Sequence, residues 1–315
     1  MSTTTTEPAA TPIEVERMPF GRWMKTVGWR HLILVFAVIF ALFPISYIVN
    51  LAFSQGNTLT SACPSDLAGI QTVQCILPLP PYDTQNFSDV LNNSQRPFPV
   101  WFQNTVIIAT VVSFVSVFMG AAAAFAFSRM RFKGRRAGLT SLVLVQMFPA
   151  ILAITAIFLL LSTIRDTFPG IGLGTIWGLV LVYLGGTLGV NTYLMKGFFD
   201  TIPVEIDESA RIDGASHVRI FFGMILRLAA PILTVVFFVT FTGMFNELAI
   251  ASVVLADQRD TTLAVGLYSY VSNPLRQEWG LFAAGALMAA LPVLVVFAFA
   301  QKQLVTGLTA GAVKG

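Results

Sequence analysis

Six apolar runs, at residues 32–53, 105–127, 139–161, 175–194, 228–244 and 281–300, constrain this chain more than anything else in it. A hydrocarbon layer about 30 Å thick takes roughly 20 helical residues to cross. Inside lipid each backbone N–H and C=O must be satisfied within its own segment, so runs of this length read as spanning helices. Charged residues make up 11% of the 315, against about 25% in an ordinary soluble domain. The expected fold is therefore all-α, a polytopic membrane protein with six transmembrane helices. The first run is too long for the core of a secretion signal and lacks a clean small-residue cleavage site, so it reads as a retained helix.

Orientation follows from the short connections. Arg17, Arg22, Lys25 and Arg30 precede the first run, and Arg129, Arg131, Lys133, Arg135 and Arg136 fill the second connection. Residues 54–101 carry a single arginine and no lysine. The positive-inside rule then places both termini and the second and fourth connections in the cytoplasm. The net charge of +3 is a topology signal and does not point to nucleic acid. Residues 1–20 read as a disordered cytoplasmic N-terminus, rich in Ser, Thr and Pro over 2–12. A six-helix membrane domain follows over 21–305, with an external loop at 54–101 and a cytoplasmic loop at 196–227, and then a cytoplasmic tail over 306–315. Cys63 and Cys75 both fall in the external loop, where either a stapling disulfide or two free thiols fits. Trp23, Trp29 and Trp101 read as interfacial anchors. Pro149, Pro231 and Pro292 are placed to kink spans, and the small residues at 120–124, 185–189 and 283–290 read as close helix crossings.

The fourth connection holds most of the polar information. Thr201-Ile202-Pro203 suits a helix start, and Glu205, Asp207 and Glu208 then suit the positive end of the helix dipole. Ile206 and Ala210, four apart, give one small apolar face, and Gly214 supplies a sharp turn into the next segment. A surface amphipathic helix is the plainer reading, yet such helices carry a wide, basic, aromatic face, whereas this one is small and mixed in charge. The element reads as a docking knob for another protein. Elsewhere chemistry is sparse. Gly170-x-Gly172-x-Gly174 lacks the Lys-Ser/Thr of a phosphate loop, His31 and His217 have no ligand spacing for a metal, and no nucleophile–base set is visible. No catalytic and no metal-binding residue is therefore assigned. Gln146, Asn191, Asn246 and Glu247 are the polar residues at membrane depth, and so candidates for a polar path.

Glu208-x-Ala210-x3-Gly214, continuing through Met224-Ile225-Leu226 to Pro231, resembles the EAA loop of ABC importer permeases, with Ser209 where alanine is usual and Arg227 where proline is common. The stretches 126–132, 146–150, 183–186, 262–266, 279–280, 288–292 and 300–301 and the tail from Gly307 resemble the MalG-type permease subunits of maltose and maltodextrin importers, over about residues 101–315. The resemblance implies the ABC importer type I permease fold in a bacterial plasma membrane. It implies as partners a second homologous permease, two cytoplasmic ATPases that hold the ATP and Mg, and an external sugar-binding protein, with no cofactor in this chain. Glu208, Ser209, Ala210, Asp213 and Gly214 would contact an ATPase. Gly307, Leu308, Thr309, Ala310, Gly311, Lys314 and Gly315 would reach between the ATPases, as a flexible tail with one charge. Ser272, Asn273 and Pro274, at the tip of the external segment 268–279, would probe the sugar cleft of the binding protein. In this family the partner permease makes most of the sugar contacts, so the intramembrane polar residues are not assigned as ligands. The sugar would be maltose or maltodextrin, or another oligosaccharide such as trehalose. A self-sufficient secondary transporter would instead show intramembrane charge relays and internal repeats, and neither is visible.

Overall fold

The computed structural model describes residues 19–56, 58–59, 82–257 and 259–312. Of the N-terminal stretch 1–20 expected to be disordered, residues 1–18 lie outside the described residues and Phe20 already opens a helix; the Cys63 and Cys75 pair, and Lys314 with Gly315, also lie outside the described residues. Within those residues every regular element is helical. A short helix, Phe20–Trp23, and a π-helical turn, Met24–Gly28, lead into α1, Trp29–Ala52, so the first span runs from Gly21 and not from residue 32. Next come α2, Gln85–Asn92, and α3, Phe98–Arg129, which is 32 residues long.

The run at 139–161, expected as one span, divides into two helices. α4, Arg135–Gln146, ends where Met147 and Phe148 turn toward Pro149, and a 3-10 turn, Ala150–Ala153, opens α5, Ile154–Thr167. Proline has no N–H for the helical ladder and drives its predecessor out of the α region. The spanning segment is accordingly Ala150–Thr167, shifted toward the C-terminus.

α6, Ile176–Phe199, starts at Thr175, whose hydroxyl accepts from the Gly178 N–H at 3.0 Å. The fourth connection holds α7, Glu205–Ile212, and the beginning of α8, His217–Leu228, which contains a π-helical turn. α9, Ala230–Asn246, follows at 76° to α8, with Pro231 in its first turn. Five described helices are long and apolar enough to cross a membrane, and the bent α8–α9 pair supplies the sixth. Short helices α10, Ala249–Val254, and α11, Leu263–Val271, precede α12, Trp279–Ala312. The backbone of Gly307, Leu308, Thr309, Ala310 and Gly311 continues α12 as helix, in place of the flexible end expected from its glycines. Leu308 and Ala310, between those glycines, are good helix formers.

The core is built along α3, whose most extensive packing is against α6. At its C-terminal end Ala121, Ala124 and Phe125 meet Met195, Phe199, Ala210 and Ile225. Mid-bundle, Ile108 and Val112 meet Leu179, Tyr183 and Val254, and at its N-terminal end Phe98 and Trp101 meet Leu51, Leu267 and Tyr270. A Cβ added at Gly120 would stand 3.2 Å from Asn191 Cβ, so the small residues at 120–124 do close a helix crossing.

Candidate coupling and docking surfaces

α7 is too short to be stable by itself, since isolated helices of fewer than about 12 residues are marginal in water. Its position is fixed from outside. Ala210 is buried in the core at the C-terminal end of α3 and Ile206 packs beside it, as the four-residue spacing implied. Asp207 lies on the same inward face. Its carboxylate sits 2.7 Å from Arg129 Nε, and the two side chains are 3% and 4% exposed. Arg129 Nη2 also donates to the Ile202 carbonyl at 2.7 Å, so one guanidinium at the end of α3 holds both the approach to α7 and the helix itself. α7 ends in a Schellman turn: the Ala215 N–H donates to the Ala210 carbonyl and the Gly214 N–H to that of Arg211, both at 2.9 Å. Gly214 has φ +79°, and a Cβ there would touch nothing within 4 Å. The requirement for glycine is thus the left-handed backbone and not a shortage of space.

The outward face of α7 presents Glu208, Ser209, Asp213 and Gly214. Ala210, expected among the contact residues, faces the bundle and supports the helix from behind. Ile212, not singled out in the sequence, is 87% exposed and offers this face an apolar anchor. Ser209 donates its hydroxyl to the Ile206 carbonyl at 3.1 Å, which satisfies the group added in place of alanine. Arg227 is exposed at the end of α8, and the bend beyond it falls at Ala229, next to Pro231. A polar cleft of about 480 Å³ opens beside α7, lined by Arg131, Glu208, Arg211 and His217 above the buried pair. At the end of α6, burial pushes the Asp200 carboxyl up, but bonds from Lys196 and Ser128 outweigh it and hold the group below its ordinary pKa.

On the opposite side, the segment between α11 and α12 is closed at its base and open at its tip. The Glu278 N–H donates to the Tyr270 carbonyl at 2.9 Å. Arg96 pairs with the Glu278 carboxylate and lies 4.8 Å above the Tyr270 ring. Burial raises the Tyr270 pKa, with Arg96 acting against it. Tyr270 in turn meets Trp101 edge-on at 6.2 Å. Trp101, expected as an interfacial anchor, is fully buried, because Gly266 lets its ring approach so closely that a Cβ there would stand 2.2 Å away. At the tip the Asn273 side chain accepts from the Leu275 N–H at 3.0 Å and its carbonyl from the Arg276 N–H at 3.1 Å. Ser272, Asn273 and Pro274 are exposed, and Leu275 beside them is 97% exposed.

The polar residues at membrane depth are mostly engaged with the fold. Asn191 donates to Ser116 and Thr240, joining α3, α6 and α9. Gln146 donates to the Gly186 carbonyl at 2.8 Å. Glu247 accepts from Tyr183 and from the N–H groups of Ile250 and Ala251, and so caps α10. Asn246 donates to the Thr242 carbonyl at 3.0 Å and also lines a cavity of about 490 Å³ with Thr242, Phe245, Tyr268 and Phe282.

The profile of the family described as "Binding-protein-dependent transport system inner membrane component" matches residues 116–303. The chain is 37% identical over 298 residues to the maltose/maltodextrin permease MalG of Vibrio vulnificus, covering 94% of this chain and 98% of the relative. It is 38% identical over 285 residues to the maltodextrin permease MdxG of Bacillus subtilis, covering 90% and 95%. It is 36% identical over 298 residues to the galactooligosaccharide permease GanQ of the same organism, covering 95% and 99%. Among solved structures, a chain of a bacterial ABC transporter that imports alginate superposes with a TM-score of 0.70 at 23% identity, over 91% of this chain and all of that one. That likeness establishes the fold, and with the matching profile and these relatives the chain belongs to the binding-protein-dependent transport system inner membrane components.

Proposed function

We propose that this chain is one of two homologous permease subunits of an ATP-driven, binding-protein-dependent importer of maltose or maltodextrin, with both termini in the cytoplasm. The observation that carries this reading is α7: an eight-residue polar helix clamped to the bundle by a buried ion pair, with Glu208, Ser209, Ile212 and Asp213 turned outward. Such an element offers a held, exposed surface to another protein. It suits a partner that pushes on it. Closure of two ATPases on bound ATP and Mg would displace α7 and bias the bundle between inward-facing and outward-facing states. The exposed tip with Ser272, Asn273 and Pro274 would meet the sugar-loaded binding protein, and the end of α12 would lie between the ATPases.

The MalG and MdxG relatives support maltose or maltodextrin as the sugar. The similarly close GanQ favours, as a second reading, a different oligosaccharide. Uptake of labelled maltotriose, galactotriose and trehalose by a strain lacking this chain, with and without the gene restored, separates them. Restoration of maltotriose uptake alone is expected. Uptake restored only for another sugar transfers the function to that sugar, and copurification without any ATPase removes the reading.

A further inference from the structure

We propose that α3 is a strut acting in series between α7 and the external tip, and that Arg129 and Arg96 are positioning residues that clamp its two ends. The inference rests on the coupling role given to α7 above. Its first support is continuity. α3 runs 32 residues, about 48 Å at 1.5 Å per residue, with proline only in its first turn. The route through α4 and α5 is broken at Pro149, that through α8 and α9 bends by 76°, and α1 and α12 contain Pro44 and Pro292. α6 is also unbroken, but among the described helices only α3 carries charged clamps at both ends.

The second support is the contact set. At the cytoplasmic end Arg129 pairs with Asp207 of α7 and donates to the Ile202 carbonyl. At the external end Arg96, one residue before the Pro97 that caps α3, pairs with Glu278 and stacks on Tyr270. Within the first turns of α3, Asn104 donates to the carbonyls of Asp260 and Thr261, and Thr105 accepts from the Leu263 N–H at 2.8 Å, which fastens the start of α11. A displacement of α7 therefore reaches both ends of the external segment through one rigid element. No chain of loop contacts is needed.

The test uses the whole complex, with partner permease, ATPases and binding protein, in proteoliposomes. The readout is the ratio of ATP hydrolysis with and without maltose-loaded binding protein. Asp207→Asn and Glu278→Gln should each lower that ratio about tenfold, and the double variant should fall no further than the lower single, because two breaks in one series path interrupt the same signal. Arg129→Lys and Arg96→Lys, which keep the charge, should retain at least a third of the stimulation. If an isosteric variant fails to assemble, the two lysine variants are combined, and the same absence of multiplicative loss is expected. Unchanged stimulation in the singles, or a double loss equal to the product of the singles, overturns the strut. Absence of any stimulation in the unmodified complex overturns instead the coupling role on which it rests.

Discussion

At the α7 end of α3 the Arg129–Asp207 pair is withdrawn from water, with side chains 4% and 3% exposed, while at the opposite end the Arg96–Glu278 pair leaves 28% and 17% exposed. The partners are of the same chemical types, yet the energetics differ. Removing one member of a buried pair strands a charge in low dielectric and costs about 3–5 kcal/mol, whereas a part-buried pair that water still reaches loses less when one member is neutralised. α7 is thus held hard, as the proposed coupling role requires. The segment between α11 and α12 is held more softly at its base, as suits the proposed docking of a binding protein.

The largest effect should come from Asp207→Ala. It leaves Arg129 buried and unpaired, and is expected to destabilise the α7 region by about 3–5 kcal/mol, seen as faster protease cutting of the 200–216 loop in membranes. Unchanged cutting would place the pair in water and erase the contrast.

Gly214→Val should be smaller, about 1–3 kcal/mol, because a β-branched residue is forced to φ +79° while its side chain meets nothing. Gly214→Asn should recover much of the loss, since asparagine tolerates the left-handed region. Equal damage from both substitutions, measured as sugar uptake, would make space and not backbone the constraint.

Glu278→Gln should cost least, about 1 kcal/mol or below in thermal stability. The comparison sharpens here. The two ends are expected to differ in stability and to agree in coupling, because they lie on one path.

The spans were legible because hydrophobicity is a local property and backbone satisfaction in lipid leaves few alternatives. The inward face of α7 was legible through Ile206 and Ala210, and its stop through Gly214. The division of the third run was only half legible. Pro149 announced a kink, but the turn at Met147 and Phe148 depends on what α4 finds to pack on, including the Gln146 bond to Gly186. Arg129 appeared as one of five basic residues in the second connection, and nothing local singled it out for burial. Its partner stands in another connection. Asp207 carried a weak signal, three residues before Ala210 on the same face, and that spacing could have marked an acid in need of a buried cation. Trp101 was misread for the same reason: its burial is set by Gly266 and Tyr270, far along the chain. Asn191 and Glu247 showed only that polar groups at depth need partners, and the fold supplies them internally.

The most direct measurement places a photo-reactive residue at Ile212, exposed on the outward face of α7, in the assembled complex. Irradiation should join this chain to an ATPase subunit, with a yield that changes between the nucleotide-free and ATP-trapped states. Adducts to lipid alone, or none, in a complex that still takes up sugar would contradict the assignment of α7 as the element through which the importer is driven.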